Sequence, residues 1–298
     1  MVPFITSSLV TKMSNLASKA IQVENDPISH TQAMNISISN GRLRYSDSTA
    51  PVLQGLNITM LAGQWTCILG RSGCGKTTLL RHLAGLLNQK TEWSGDISVY
   101  SALTIDSDLK SKSKPSPQLD LTQHIAYMAQ QDLLLPWLSV LENVKLSSKF
   151  GDEASAGDTK KALDLLSKVG LADNADSLPQ QLSGGMRQRV ALARTLMQDK
   201  PVVLMDEPFS ALDAVTRYRL QDLACELLKD KTVVLITHEP QEAIRLAHQI
   251  YIMQGAPAST AQLQVPTSAT PRPFDAECAQ LQQRIMTCLA QEYEADHE

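Results

Sequence analysis

The stretch Gly70-Arg71-Ser72-Gly73-Cys74-Gly75-Lys76-Thr77 constrains this chain more than any other, because it carries a glycine, four residues, then Gly-Lys-Thr. That is the pattern of a phosphate loop. An apolar run from Trp65 to Leu69 precedes it, and Thr78-Leu79-Leu80-Arg81-His82-Leu83-Ala84 follows with leucines at helical spacing. Strand, loop and helix in that order are the context the motif needs. Gly73 and Gly75 let the backbone curl around an anion, so that several N–H groups and the positive end of the helix face the same phosphates. Lys76 adds a point charge at the β- and γ-phosphates, and the Thr77 hydroxyl is placed to hold Mg2+. The stretch reads as a nucleotide site; a glycine-rich turn that only joins strand to helix is the alternative.

With 298 residues the chain can bury one large α/β core or two modest ones. Its 43% apolar and 19% charged residues are ordinary for a globular protein, and its net charge of −4 gives no general attraction to nucleic acid. No run approaches the roughly 18–20 apolar residues of a membrane-spanning helix. The start, Met1 to Val10, makes a poor signal peptide, having no basic region before a sustained apolar core. Five cysteines at scattered positions form neither a disulfide framework nor a metal spacing, so a reducing cytoplasm is the simplest home. Cys74 inside the phosphate loop reads as a small space-filling residue, with a reactive thiol as the alternative.

Residues 1–33 show no sustained period and read as a mobile extension. From Asn35 on, short alternating runs (Ile36 and Ile38; Leu43 and Tyr45; Leu56, Ile58 and Met60) are broken by Asn40-Gly41 and Ala62-Gly63, which suggests strands of an antiparallel layer joined by turns. A strand over 95–100 is followed by a polar stretch, 101–120, which reads as a surface loop or insertion, with a nucleic-acid arm as the weaker alternative. Lys160 to Val169 fits an amphipathic helix closed by Gly170. Apolar runs at 202–205 and 232–236 then alternate with helical patterns at 187–198 and 216–229, which implies a parallel sheet covered on both faces. Ile250 to Met253 reads as the last strand. Pro257, Pro266, Pro271 and Pro273 mark a linker, and Cys278, Leu281, Ile285, Met286 and Leu289 share one face of a terminal helix.

Several later residues complete a nucleotide site. Met205-Asp206-Glu207-Pro208 ends an apolar strand, where side chains look into the crevice of a parallel sheet. Asp206 suits the Mg2+ shell, and Glu207 suits a base or water-orienting group for hydrolysis. His238 ends the next strand and can reach a γ-phosphate. The segment Leu182-Ser183-Gly184-Gly185-Met186-Arg187-Gln188-Arg189 then decides the resemblance. From about Met34 to Met253 the chain resembles the ATP-binding subunit of ABC transporters. It carries a phosphate loop, a glutamine loop at Gln130, a signature at Ser183, the acidic pair, Ser210-Ala211-Leu212-Asp213 as the D-loop and a switch histidine, in that order.

That resemblance implies an α/β fold: a P-loop NTPase core with parallel sheet, an antiparallel β layer and an inserted helical subdomain at about 128–190. The ATP-binding domain would span 34–255, with a linker and helix over 256–298. ATP would be held by Gly70, Arg71, Ser72, Gly73, Cys74, Gly75, Lys76, Thr77 and Thr78, and Tyr45 would stack on adenine or be a plain strand residue. Mg2+ would be held by Thr77, Gln130 and Asp206; Glu207, His238 and Gln130 would be catalytic. Ser183, Gly185 and Asp213 would complete the site of a second copy, so that two chains sandwich ATP and closure follows the nucleotide state. Further partners implied are a transmembrane permease and, indirectly, a solute-binding protein, with no nucleic acid; the location implied is the cytoplasmic face of the inner membrane, held peripherally. Departures from the family pattern are Gln64, Ala129 and His248.

After Gln130 the chain reads Leu133-Leu134-Leu135-Pro136-Trp137, which is similar to the import branch serving nitrate, sulfonates, taurine and the pyrimidine precursor of thiamine. Overall likeness leans towards the pyrimidine. The apolar group is a candidate wall for a groove that accepts a permease helix, and ordinary core packing is its alternative. An ABC-type ATPase of DNA repair or translation is the other reading; no sustained heptads separate Lys76 from Ser183 and no second phosphate loop is present.

Overall fold

The computed structural model describes residues 33–87, 90–101, 121–150 and 156–295. The extension expected over 1–33 and the insertion expected over 101–120 therefore lie outside the described residues, apart from Ala33 and Ser101. Two sheets make up the frame. Strands β1 (Met34–Tyr45), β2 (Pro51–Met60) and β4 (Thr91–Ser101) form an antiparallel layer in the order β2-β1-β4. The larger sheet has the order β5-β6-β7-β3-β8-β9, built from β3 (Trp65–Gly70), β5 (Ile125–Met128), β6 (Val202–Asp206), β7 (Thr232–Ile236), β8 (Gln249–Gln254) and β9 (Ser259–Leu263). Its first five strands are parallel and β9 is antiparallel to β8.

Because successive strand residues point to opposite faces, the apolar runs divide between two cores. Cys67, Leu69, Val203, Met205, Val233 and Leu235 join one cluster with the helices; Ile68, Val202, Leu204, Val234 and Ile236 join the other, against the antiparallel layer. Every residue of β3, β6 and β7 is buried. This two-sided burial is why these runs show no alternation in sequence. Helix α1 (Lys76–Leu83) lies between the layers through Leu79, Leu80 and Leu83. The other face is covered by α2 (Val140–Val144), α3 (Ala156–Lys168), α4 (Gly184–Met197), α5 (Ala214–Leu227), α6 (Pro240–Leu246) and α7 (Ala276–Ala295). Thr232 ties the sheets together: its hydroxyl donates to the Met34 carbonyl at 2.6 Å and accepts from the Met34 N–H at 3.2 Å.

Three details differ from the sequence expectation. Asn40-Gly41 is not a turn between strands but a slip within β1, where pairing with β4 passes from Ser39↔Asp96 to Arg42↔Ser94 and Asn40 sits at φ 50°. The slip absorbs the residues that looked like a hairpin loop. The segment after Met253 is not only linker, since β9 extends the sheet beyond it. Its polar sequence, with every residue at least partly exposed, shows no strand periodicity. In α7, Cys278, Leu281 and Ile285 are buried as expected, whereas Met286 is 52% exposed and does not share the packed face. His248, which replaces a frequent acidic residue, accepts from the Trp65 N–H at 3.0 Å and lies 3.1 Å from the Thr270 hydroxyl through its other nitrogen.

The β1 slip needs Gly95 opposite it. Gly95 has φ 105°, and a Cβ there would stand 2.5 Å from the Asn40 carbonyl oxygen, a backbone atom that cannot swing aside. Gly95→Ala should therefore lower unfolding free energy by about 2–3 kcal/mol in a denaturant titration. A loss under ~0.5 kcal/mol would show that the layer accommodates the methyl group.

Candidate nucleotide site

The phosphate loop runs from the end of β3 to the first turn of α1. Gly75, the residue before the helix, has φ 104°, and a Cβ on it would meet Leu53 at 2.7 Å. Strand β2 thus presses on the loop where only glycine fits. Lys76 is buried and its Nζ donates to the carbonyls of Gly70 at 2.7 Å and Arg71 at 2.5 Å, inside the curl of the loop. Cys74 Sγ lies 3.8 Å from that Nζ. Ser72 and Gly73 are exposed at the tip. Tyr45, at the end of β1, places its hydroxyl 3.3 Å from the Thr78 hydroxyl on α1, which brings the antiparallel layer to the edge of the loop.

Strand β6 delivers the acidic pair. Asp206 is 1% exposed, hydrogen-bonded by the Thr77 side chain, and its Oδ2 is buried with no protein partner. Burial pushes its carboxyl above the ordinary range, with Thr77, Arg81 and Lys76 pulling it back and Glu207 adding to the rise. An orphaned carboxylate oxygen beside a threonine hydroxyl and a phosphate loop is a donor set that suits a hard divalent cation. Glu207 has φ 50°, in the left-handed region that non-glycine residues rarely occupy. In that conformation its Oε2 accepts from Gln130 Nε2 at 3.0 Å and lies 3.2 Å from His238 Nδ1. Residues from the ends of three strands, β5, β6 and β7, therefore converge on one carboxylate.

Ser183, Gly185 and Asp213 form a second group. Ser183 caps α4, its hydroxyl accepting from the Met186 N–H at 3.3 Å. Asp213 caps α5, accepting from the Thr216 N–H at 3.0 Å, and that backbone bond lowers its carboxyl from the ordinary range. Gly185 packs against the pair's connecting loop, since a Cβ there would stand 3.3 Å from both Ala211 O and Leu212 Cδ2. Ser210 donates its hydroxyl to the Glu207 carbonyl at 3.0 Å, linking this loop to the first group.

Sequence reasoning missed the groups that hold these loops. Asn143 is fully buried and donates to the carbonyls of Leu135, Leu138 and Ser139 while accepting from the Leu135 N–H, fixing the turn after Gln130. Arg187 bridges to Asp132 at 3.0 Å, and Arg194 donates to the carbonyls of Asp132 and Leu133, joining that turn to α4. Arg81, whose charge acts on Asp206, also went unnoticed. A polar residue at an apolar position, as Asn143 is between Val140 and Val144, was the available signal.

The family model described as ABC transporter matches residues 53–210. A Haemophilus influenzae protein named as an uncharacterized ABC transporter ATP-binding protein is 44% identical over 203 residues, covering 68% of this chain and 76% of its own length. The chain belongs to the ABC transporter family. It is an ATP-binding, ATP-hydrolysing cassette on the P-loop NTPase fold. The Paracoccus denitrificans aliphatic sulfonates import ATP-binding protein SsuB 1 is 35% identical over 266 residues, covering 88% of this chain and 98% of the relative. A solved dimeric ATP-binding cassette in a post-hydrolysis state, bound to ADP and Pi, superposes with a TM-score of 0.61 at 29% identity, covering 77% of this chain and 99% of that one.

In this ABC cassette the raised Asp206 value has a consequence for stability. A carboxyl whose folded value lies above its ordinary 3.8 favours the fold while protonated and loses that contribution as pH rises through the folded value. At neutral pH the buried charge is then a burden on the cation-free protein. Asp206→Asn should raise the stability of the metal-free chain at pH 7 by about 1 kcal/mol in thermal or chemical unfolding, and the gain should shrink towards pH 4. An asparagine variant no more stable than wild type at pH 7 would contradict this reading.

Proposed function

We propose that this chain is the motor subunit of an ABC importer, with the Glu207 carboxylate as the base that activates water for ATP hydrolysis. The convergence of Gln130 and His238 on Glu207 Oε2 carries this reading. Residues 70–78 bind the phosphates, Lys76 exchanging its loop carbonyls for phosphate oxygens, and Tyr45 covers the adenine. Thr77, Gln130 and Asp206 would hold Mg2+, which neutralises phosphate charge when bound. Gln130 orients the attacking water, and His238 holds Glu207 while reaching the γ-phosphate. A proton leaving water towards Glu207 is drawn by a carboxylate already fixed in orientation, so little reorganisation accompanies the step.

Ser183, Gly185 and Asp213 would complete the site of a second copy, as supported by their grouping at two helix starts and by the dimeric state of the solved cassette. The ATP-binding domain is proposed over 34–255, with its helical part at about 128–190, and the segment 256–298 packs on it through β9 and α7. A permease partner fits the turn after Gln130: Leu134 is buried there, while Leu133 is 59% and Trp137 is 71% exposed, leaving an apolar anchor uncovered. No helix among the described residues is long and apolar enough to cross a membrane, which accords with peripheral attachment at the cytoplasmic face. The names of several relatives favour uptake of an aliphatic sulfonate over the pyrimidine precursor, with a solute-binding protein as the indirect partner.

Glu207→Gln should keep ATP affinity and lose about 100-fold or more in steady-state hydrolysis. Near-normal turnover would remove Glu207 from the role. Lys76→Ala should instead lose nucleotide affinity, and tight ATP binding by that variant in calorimetry would contradict the phosphate-loop assignment.

A further inference from the structure

Behind His238 lies a buried carboxyl group that the proposed chemistry does not use. Glu242 stands in the first turn of α6 and is 6% exposed. Two side chains donate to it: Gln221 from α5, through Nε2 at 2.9 Å, and Thr237, the residue before His238. The direction of both bonds is fixed from outside. The Arg245 guanidinium, which can only donate, bonds Gln221 Oε1 at 3.0 Å, so the amide must turn its NH2 group to Glu242. The Glu239 N–H donates to Thr237 Oγ1 at 3.0 Å, which leaves the hydroxyl proton for Glu242. Burial pushes the Glu242 carboxyl above the ordinary range, with the bonds from Thr237 and Gln221 and the Arg217 charge pulling it back and Glu239 adding to the rise. The His238 side chain, by contrast, is half-exposed; its ring lies 3.2 Å from Glu207 Oε2 through Nδ1 and 3.8 Å from Glu239 Oε1 through Nε2. Its aim is therefore set by the backbone that carries it, from Thr237 to Glu239, more than by packing around the ring.

We propose that Glu242 is a positioning residue for ATP hydrolysis: by holding Thr237 from below it fixes the backbone at 237–239, so that His238 meets Glu207. The cleft lined by Glu207, Thr237, His238 and Glu242 has a volume of about 10 Å3, room for about one water and too little for a phosphate. Glu242 thus acts through the residues it holds and does not touch the nucleotide. Its own anchor is α5, through Gln221, which is 4% exposed. Removing one member of this buried chain leaves a donor or an acceptor unmet, and the loop must shift to satisfy it. A misplacement of about 1 Å in a group that serves the reaction can cost on the order of 100-fold in rate. The inference rests on the parts proposed for Glu207 and His238.

Steady-state hydrolysis by the full chain, with ATP affinity measured beside it by calorimetry, tests the role. Thr237→Val, which removes the hydroxyl at nearly constant volume, should lower kcat about tenfold and leave ATP affinity within about twofold of wild type. Thr237→Ser, which keeps the hydroxyl, should recover most of the rate. Glu242→Gln should lower kcat to a similar extent, since its amide sets a donor among donors that already point at it. The double variant, Thr237→Val with Glu242→Gln, should lose little more than either single one, because the two groups act as a unit. Wild-type kcat in both single variants, equal losses in Thr237→Ser and Thr237→Val, losses that multiply in the double variant, or ATP affinity falling as far as turnover would each overturn the positioning role. Glu207→Gln in the same assay separates this inference from the reading beneath it. Turnover retained by Glu207→Gln removes that reading and the inference with it; turnover lost there, with wild-type rates in the Thr237 and Glu242 variants, removes the inference alone.

Discussion

Asp206 Oδ2 is buried at the end of a fully buried strand and has no hydrogen-bond partner in the protein. Most buried polar atoms are satisfied, so a fold that tolerates this one needs compensation from elsewhere. The surrounding structure is arranged to keep the oxygen in place. Strand β6 is held between β5 and β7, the Thr77 hydroxyl bonds the same carboxylate, and Lys76 and Arg81 add positive charge. One residue on, Glu207 has φ 50° and its carboxylate meets Gln130 and His238. The strained backbone at Glu207 and the orphaned oxygen at Asp206 are features of one strand end.

The fold extends the influence of that strand end outward. Gln130 leads into a turn fixed by Asn143 and tied to α4 through Asp132, Arg187 and Arg194. Because α4 starts at Ser183, the carboxylate and the segment proposed to meet a second copy are joined by a short chain of polar contacts. On the other side, the Ser210 hydroxyl ties the loop before α5 to the Glu207 carbonyl, and Arg217 holds the same loop at the Leu212 carbonyl. Polar contacts thus connect the strand end with both elements, which are the ones proposed to meet a second copy.

Much of this was legible in the sequence, because the chemistry depends on short motifs whose residue types are dictated locally. Lys76, Asp206, Glu207 and His238 are placed by strands that announce themselves as unbroken apolar runs. Less was legible where a residue's meaning depends on what lies across from it. Asn40-Gly41 has turn chemistry, yet the continuous pairing of β4 on both sides makes it a slip in one strand. Strand β9 is polar because it lies at a sheet edge, and its pairing with β8 is non-local information. Asn143, Arg194 and Arg272 act on backbone carbonyls brought near by tertiary folding, which no spacing rule exposes.

The measurement that bears most directly on Asp206 is a titration of Mn2+ into the ATP-loaded chain, followed by electron paramagnetic resonance, for wild type and Asp206→Asn. One bound Mn2+ per ATP is expected in the wild type and an affinity about tenfold or more weaker in the variant, with ATP itself still bound through Lys76. Equal Mn2+ affinity in the two proteins would show that the orphaned oxygen does not serve a cation, and would contradict the account at its centre.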